Sequence, residues 1–173
     1  MILPETKDWT WVLTRQCPEC GFDAAAIDYD DVPDALRGTA AGWPAVLSRA
    51  DVRVRPNPST WSALEYGAHV RDVCRTIQRR LELILEADGA QFPNWDQDAT
   101  AVEARYNSQD PIAVGRELLA AADSAATAFA SVPQSMRSRR GVRSDGAEFS
   151  VDSLARYFLH DLLHHAHDVS KPN

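Results

Sequence analysis

Apolar positions recur every three to four residues along four stretches of this chain, a period that predicts amphipathic helices rather than strands. The first stretch covers 31–52, with Leu36, Ala40, Trp43, Leu47 and Ala50 on one side. Asp30 or Asp31 caps it and Pro33 suits its first turn, while Pro44 is expected to kink or break it, because proline removes a backbone donor. The second begins after Ser59 or Thr60 and reaches about Ala87, with Tyr66, Val70, Val73, Ile77, Leu81 and Ile84 as its stripe. The third opens on Asp110-Pro111, a capping residue followed by proline, and ends near Ser131 ahead of Pro133. The fourth covers 150–169, SVDSLARYFLHDLLHHAHDV, with Leu154, Phe158 and Leu162 as its apolar stripe.

Four helices joined by short loops and one longer connection describe an all-α four-helix bundle. The domain boundaries expected are an irregular arm over 1–30 and the bundle over 31–173. The connection 88–110 carries Phe92, Trp95 and Tyr106 and one helical turn near 99–105. Aromatics in a long loop either plug the core or cover a pocket. Strand signals are weak, confined to the arm and to a hairpin-like turn at 141–149.

Composition narrows the function classes. A chain of 173 residues makes one domain with a good core, and its net charge of −7 argues against nucleic acid as a partner. No apolar run approaches the roughly 18 residues that would span a membrane. The opening MILPETKDWTWVL lacks the basic and apolar regions of a signal peptide, so a cytoplasmic location is the default expectation. Three cysteines, an odd number, do not suggest a disulfide scaffold.

Candidate chemistry concentrates in the fourth helix. Four of the five histidines, His160, His164, His165 and His167, fall within eight residues of it. Residues i and i+4 share a helix face, so His160 and His164 point the same way and are close enough to hold one metal ion. His69, on the edge of the second helix's stripe, is the histidine outside this helix and the candidate third ligand. Three imidazoles with an open position make the ligand set of a catalytic divalent site. A second pair, Asp161 and His165, has the same spacing one residue on and lies nearer the apolar stripe, so helical phase by itself favours it. Glu65, one turn before His69, is either an orienting partner or a solvated side chain.

Two further features stand outside this set. Cys17-Pro18-Glu19-Cys20-Gly21 resembles half of a zinc knuckle, but no second cysteine pair completes it, and Cys74 reads as core; a plain turn is the expectation. The loop 133–149 carries Arg137, Arg139, Arg140 and Arg143, either a solvated surface or a means of steering an anionic substrate.

The order of the helices, WSALEYGAHV at 61–70 and YFLHDLLHHAHD at 157–168 together resemble the DinB-like superfamily, which includes mycothiol- and bacillithiol-dependent transferases and maleylpyruvate isomerases. The resemblance covers roughly 31–169. It implies His69, His160 and His164 as the metal triad, because Tyr157 and Ala166-His167 fit its register better than the Asp161/His165 alternative. Isomerase-like members carry a Glu four residues before a His on this helix, and no Glu stands there. What the resemblance implies chemically is a divalent-metal enzyme that transfers a low-molecular-weight thiol to an electrophile. The metal expected is zinc, with nickel, iron or manganese compatible with the same donors. A hydrolase using metal-bound water, with Asp161 or Glu65 as base, and a non-catalytic metal-binding stress protein are the alternatives. The partners expected are a small-molecule substrate and a second copy of the chain in a homodimer.

Overall fold

The computed structural model describes residues 8–170, so the first seven residues of the expected arm and the last three of the expected bundle lie outside the described residues. The helix expected over 31–52 is two helices, α1 (Val32–Ala40) and α2 (Trp43–Leu47), with Pro44 in the first turn of α2. The break falls where Pro44 would have taken a hydrogen bond out of a continuous helix. Next comes α3 (Ala63–Glu86), capped by Ser62, whose hydroxyl accepts from the Glu65 N–H while the Glu65 carboxylate accepts from the Ser62 N–H. This reciprocal pair satisfies two of the free donors at the helix start. After α3 the chain forms β1 (Ala90–Phe92) and α4 (Gln97–Glu103). Then α5 (Pro111–Ala130) begins on the Asp110 cap and the proline that follow from the sequence pattern. A hairpin of β2 (Arg140–Arg143) and β3 (Glu148–Ser150) leads into α6 (Val151–Ser170).

The principal contacts place α3 against α5 and α6, and α1 against the same two helices. The four thus stand at the corners of a bundle in which α1 and α3, neighbours in sequence apart from the short α2, lie on a diagonal. Along α6, Leu154, Phe158 and Leu162 are fully buried, as are Leu118, Ala122, Ala125 and Phe129 of α5.

The expectation of a purely α-helical chain needs correcting. A three-stranded sheet, ordered β1-β2-β3, pairs β1 parallel to β2 (Ala90 opposite Gly141) and β2 antiparallel to β3 (Gly141 opposite Phe149). The hairpin-like turn at 141–149 was legible, but β1 was not, because three residues carry no alternation to read. The sheet lies close on α3: a Cβ at Gly141 would come within 2.5 Å of Phe92 Cε1 and 2.6 Å of Ile84 Cγ1. Only glycine fits there. The arm folds back along α6 through short 3₁₀ turns at Thr10–Leu13, Ala24–Ala26 and Tyr29–Asp31. No helix among the described residues is long and apolar enough to cross a membrane.

Candidate metal centre

Burying Leu154, Phe158 and Leu162 fixes the rotation of α6, and that rotation decides which of its polar side chains meet. One residue along a helix is a turn of about 100°. Asp161 and His165 therefore face α3, where they meet His69, and the donor atoms of these three lie within 4.8 Å of one another. His160 and His164 face the arm instead, where they meet Cys17 and Cys20 within the same limit. The expected triad of His69, His160 and His164 is thus divided between two clusters. The physical reason is the rotation demanded by the apolar stripe, which turns the Asp161/His165 pair toward His69.

The first cluster lacks the partners its burial demands. His69 is fully buried, and neither of its ring nitrogens has a hydrogen-bond partner; the buried Oδ1 of Asp161 is likewise unpartnered. Unsatisfied buried groups of this kind cost about 1–3 kcal/mol each. His69 Nε2 and His165 Nε2 each stand 3.7 Å from Asp161 Oδ1. That is too long for a hydrogen bond. It is close to the roughly 3–3.5 Å that separates two donors each about 2.0–2.2 Å from a shared ion. Asp168 Oδ2 lies 3.2 Å from His165 Nδ1, an arrangement that leaves Nε2 facing the cluster. The rings of Trp95 and Trp61 enclose His69, Trp95 stacked on it at 5.4 Å and Trp61 at 5.1 Å.

Electrostatics follow from burial and from the facing charges. Burial lowers the pKa of His69. Burial opposes ionisation of Asp161, but His165 and His69 outweigh it and leave the carboxyl below its ordinary range. For His165, burial disfavours the charged form, while Asp161 and Asp168 favour it more strongly and raise the pKa. His160 is pushed down to about 4, by burial first and then by His164. These directions favour a neutral His69 and an ionised Asp161, the forms that ligate a metal, whereas Asp161 and Asp168 favour the protonated form of His165, which would release that proton on binding an ion.

A cleft of about 450 Å³ opens over the cluster, lined by Asp161, His165, Trp95, Arg80, Arg143 and Tyr157 among others. Of the four arginines in the 133–149 loop, Arg143 lines this cleft, with its guanidinium held by Asp145. Arg137 instead pairs with Asp30 and covers the Tyr29 ring, and Arg139 donates to the Leu85 carbonyl. Arg80 was missed from the sequence. It is 7% exposed, donates to the Pro93 carbonyl and lies over the Phe92 ring. Helical phase could have found it: three turns after His69, it shares that face to within about 20°. Trp95 is the loop aromatic that covers the cleft, whereas Phe92 and Tyr106 plug the core. Glu65 neither orients a ligand nor faces solvent. It is bound to Ser62 and to the Arg55 guanidinium, whose Nε donates at 2.9 Å.

The sequence matches the DinB superfamily over residues 29–169. The chain belongs to this superfamily. No curated protein matches the chain by sequence. Among solved structures the fold is similar to that of YfiT from Bacillus subtilis, described as a probable metal-dependent hydrolase with an unusual four-helix bundle topology. The TM-score is 0.73 at 15% identity, over 84% of this chain and 89% of that one. At that identity the likeness speaks for the fold. Within this DinB-superfamily bundle, two imidazoles and a carboxylate converge as a donor set that could hold a metal ion, with His69 and Asp161 Oδ1 buried and unpartnered.

Proposed function

We propose that this DinB-superfamily protein is an enzyme that holds one divalent ion between His69, Asp161 and His165 and transfers a low-molecular-weight thiol, of the mycothiol type, to an electrophile in the cleft. The observation that carries the metal reading is the convergence of unpartnered, buried His69 Nε2 and Asp161 Oδ1 with His165 Nε2. Zinc suits these donors, and iron, nickel and manganese are compatible with them. Bound there, a divalent ion lowers the pKa of a coordinated thiol or water and polarises a substrate oxygen.

The chain's own residues do the remaining work. Asp168 fixes the tautomer and orientation of His165. Trp61 and Trp95 hold the His69 ring and keep water from it. Arg80 and Arg143 place positive charge along the cleft, where they bind an anionic group on the substrate and set its distance from the ion.

Thiol transfer is favoured over hydrolysis by where the carboxylates are. A thiolate is itself the nucleophile and needs no separate base once formed. The two carboxylates named for a hydrolytic base are both committed, Asp161 to the donor cluster and Glu65 to Ser62 and Arg55. The second reading, hydrolysis, draws on the likeness to YfiT.

The test is metal analysis of the purified protein joined to two assays on the same preparation, each with and without chelator. One follows conjugation of mycothiol to a haloalkyl electrophile, the other hydrolysis of small carboxylic esters and amides. Chelator-sensitive conjugation is the expected result. Chelator-sensitive hydrolysis without conjugation would transfer the assignment to the second reading. A fully metal-loaded protein inactive in both assays would leave the non-catalytic, metal-binding alternative.

A further inference from the structure

We infer that Cys17, Cys20, His160 and His164 form a second metal site, a closed structural zinc site that clips the arm onto α6. Four donors, one from each residue, lie within 4.8 Å of one another. Two of them come from a Cys-x₂-Cys turn and two from a His-x₃-His helix face, the ligand spacings of Cys₂His₂ zinc sites. Cys17 Sγ is 3.7 Å from His164 Nδ1. Zinc bound at about 2.3 Å from sulfur and about 2.0 Å from nitrogen, in tetrahedral geometry, separates the two by about 3.5 Å.

Independent features point the same way. His160 is 4% exposed, yet its Nε2 is buried without a hydrogen-bond partner. Cys17 is fully buried, and all three cysteines of the chain are free thiols. The turn between the two cysteines is built to aim both at one point. Gly21 adopts φ +78°, its N–H donates to the Cys17 carbonyl at 2.9 Å, and the Cys17 N–H donates to the Phe22 carbonyl at 2.7 Å. Only a residue that tolerates the left-handed region closes such a turn at little cost. On the far side of His164, Nε2 faces the carboxylates of Glu19 (3.7 Å) and Asp168 (3.8 Å), which favours metal ligation through Nδ1. Trp9 and Phe22 pack on the imidazoles, Trp9 at 5.6 Å from His160 and 5.0 Å from His164, and Phe22 at 5.3 Å from His160. His160 and His164 also border the cleft, so what marks the site as structural is its four protein donors, which leave no open position on a tetrahedral ion.

Thiolate donors select zinc over the harder divalent ions. The consequence is architectural. Trp9 lines the cleft over the first cluster, so holding the arm on α6 also holds one wall of that cleft.

Replacing the metal of the purified protein with cobalt(II) provides the decisive reading. Thiolate-to-cobalt charge-transfer absorption and the intense visible bands of a tetrahedral ion are expected in the wild type and in His165→Ala. The thiolate-to-cobalt band should be lost in Cys17→Ser/Cys20→Ser. Elemental analysis should show two equivalents of metal in the wild type and one in each of these variants. Cobalt-loaded wild type with no thiolate band would overturn the site, and that measurement does not depend on any variant folding. Retention of two equivalents by the double serine variant would overturn it as well. Failure of the first cluster reads differently: the thiolate band persists, and His165→Ala loses no metal.

Discussion

The two faces of α6 carry chemically opposite donor sets one residue apart. Asp161 and His165 meet His69 beneath a polar cleft and offer two imidazoles and a carboxylate. His160 and His164 meet two thiols under Trp9 and Phe22. Three protein ligands leave coordination positions for a reactant, whereas four leave none on a tetrahedral ion. A rotation of about 100° per residue separates two i,i+4 pairs onto faces with different neighbours, and so gives one helix two different donor sets.

The comparison makes separable predictions. The largest effect is expected from His69→Ala, which removes the one ligand supplied by α3. Metal analysis should show loss of the ion from the cleft cluster together with loss of chelator-sensitive activity, while the thiolate-containing cluster stays loaded. If both metals were lost together, the two faces would not be independent sites.

Next comes Phe158→Ala. Phe158 is fully buried at the centre of the apolar stripe, beside the Asp161/His165 pair, and helps to set the rotation of α6. Truncating it should cost about 3–5 kcal/mol, measured by denaturant unfolding of the metal-loaded protein. Affinity should fall at both clusters, because both depend on that rotation. A variant that weakens only one would show that the faces are held separately.

Asp168→Asn probes the residue that touches both faces, through His165 Nδ1 and His164 Nε2. Loss of such an outer carboxylate typically costs 10- to 100-fold in metal affinity. The larger loss is expected at the cleft cluster, where the 3.2 Å contact is shorter than the 3.8 Å one to His164. Competition with a chromogenic chelator measures both. An equal loss at the two clusters would remove the distinction.

The smallest effect concerns Glu65, one turn before His69 but hydrogen-bonded to Ser62 and Arg55 rather than to either donor set. Burial opposes its ionisation, but the hydrogen bonds from Arg55 and Ser62 outweigh burial and lower its pKa. A lowered folded-state pKa means that its stabilisation is fully present above the ordinary carboxylate range, near 4.3, and is lost as pH falls through and below it. Glu65→Gln should lower stability at neutral pH by about 1–2 kcal/mol and flatten the decline of the melting temperature in acid, with metal content unchanged. Loss of metal in that variant would return Glu65 to the site.

Much of the architecture was readable from local pattern. Asp110-Pro111 and Ser150 mark helix starts to within a residue because caps and first-turn proline act through neighbouring backbone groups. The break at Pro44 is local in the same sense. By contrast, β1 was invisible because it exists only through its pairing with β2.

The sequence by itself determined that α6 carries two i,i+4 donor pairs, that His69 lies on the inner edge of α3, and that Cys17 and Cys20 stand three residues apart in a turn followed by glycine. These are consequences of helix period and turn geometry, which act over a few residues. Only the tertiary structure decided which pair meets which partner. Cys17 and His164 are 147 positions apart in the chain, so no spacing rule joins them; the arm must first fold back along α6. Likewise the choice between His160/His164 and Asp161/His165 for His69 depends on a rotation of one residue. That rotation is set by how completely Leu154, Phe158 and Leu162 sink among the other helices, a property of the packed core as a whole.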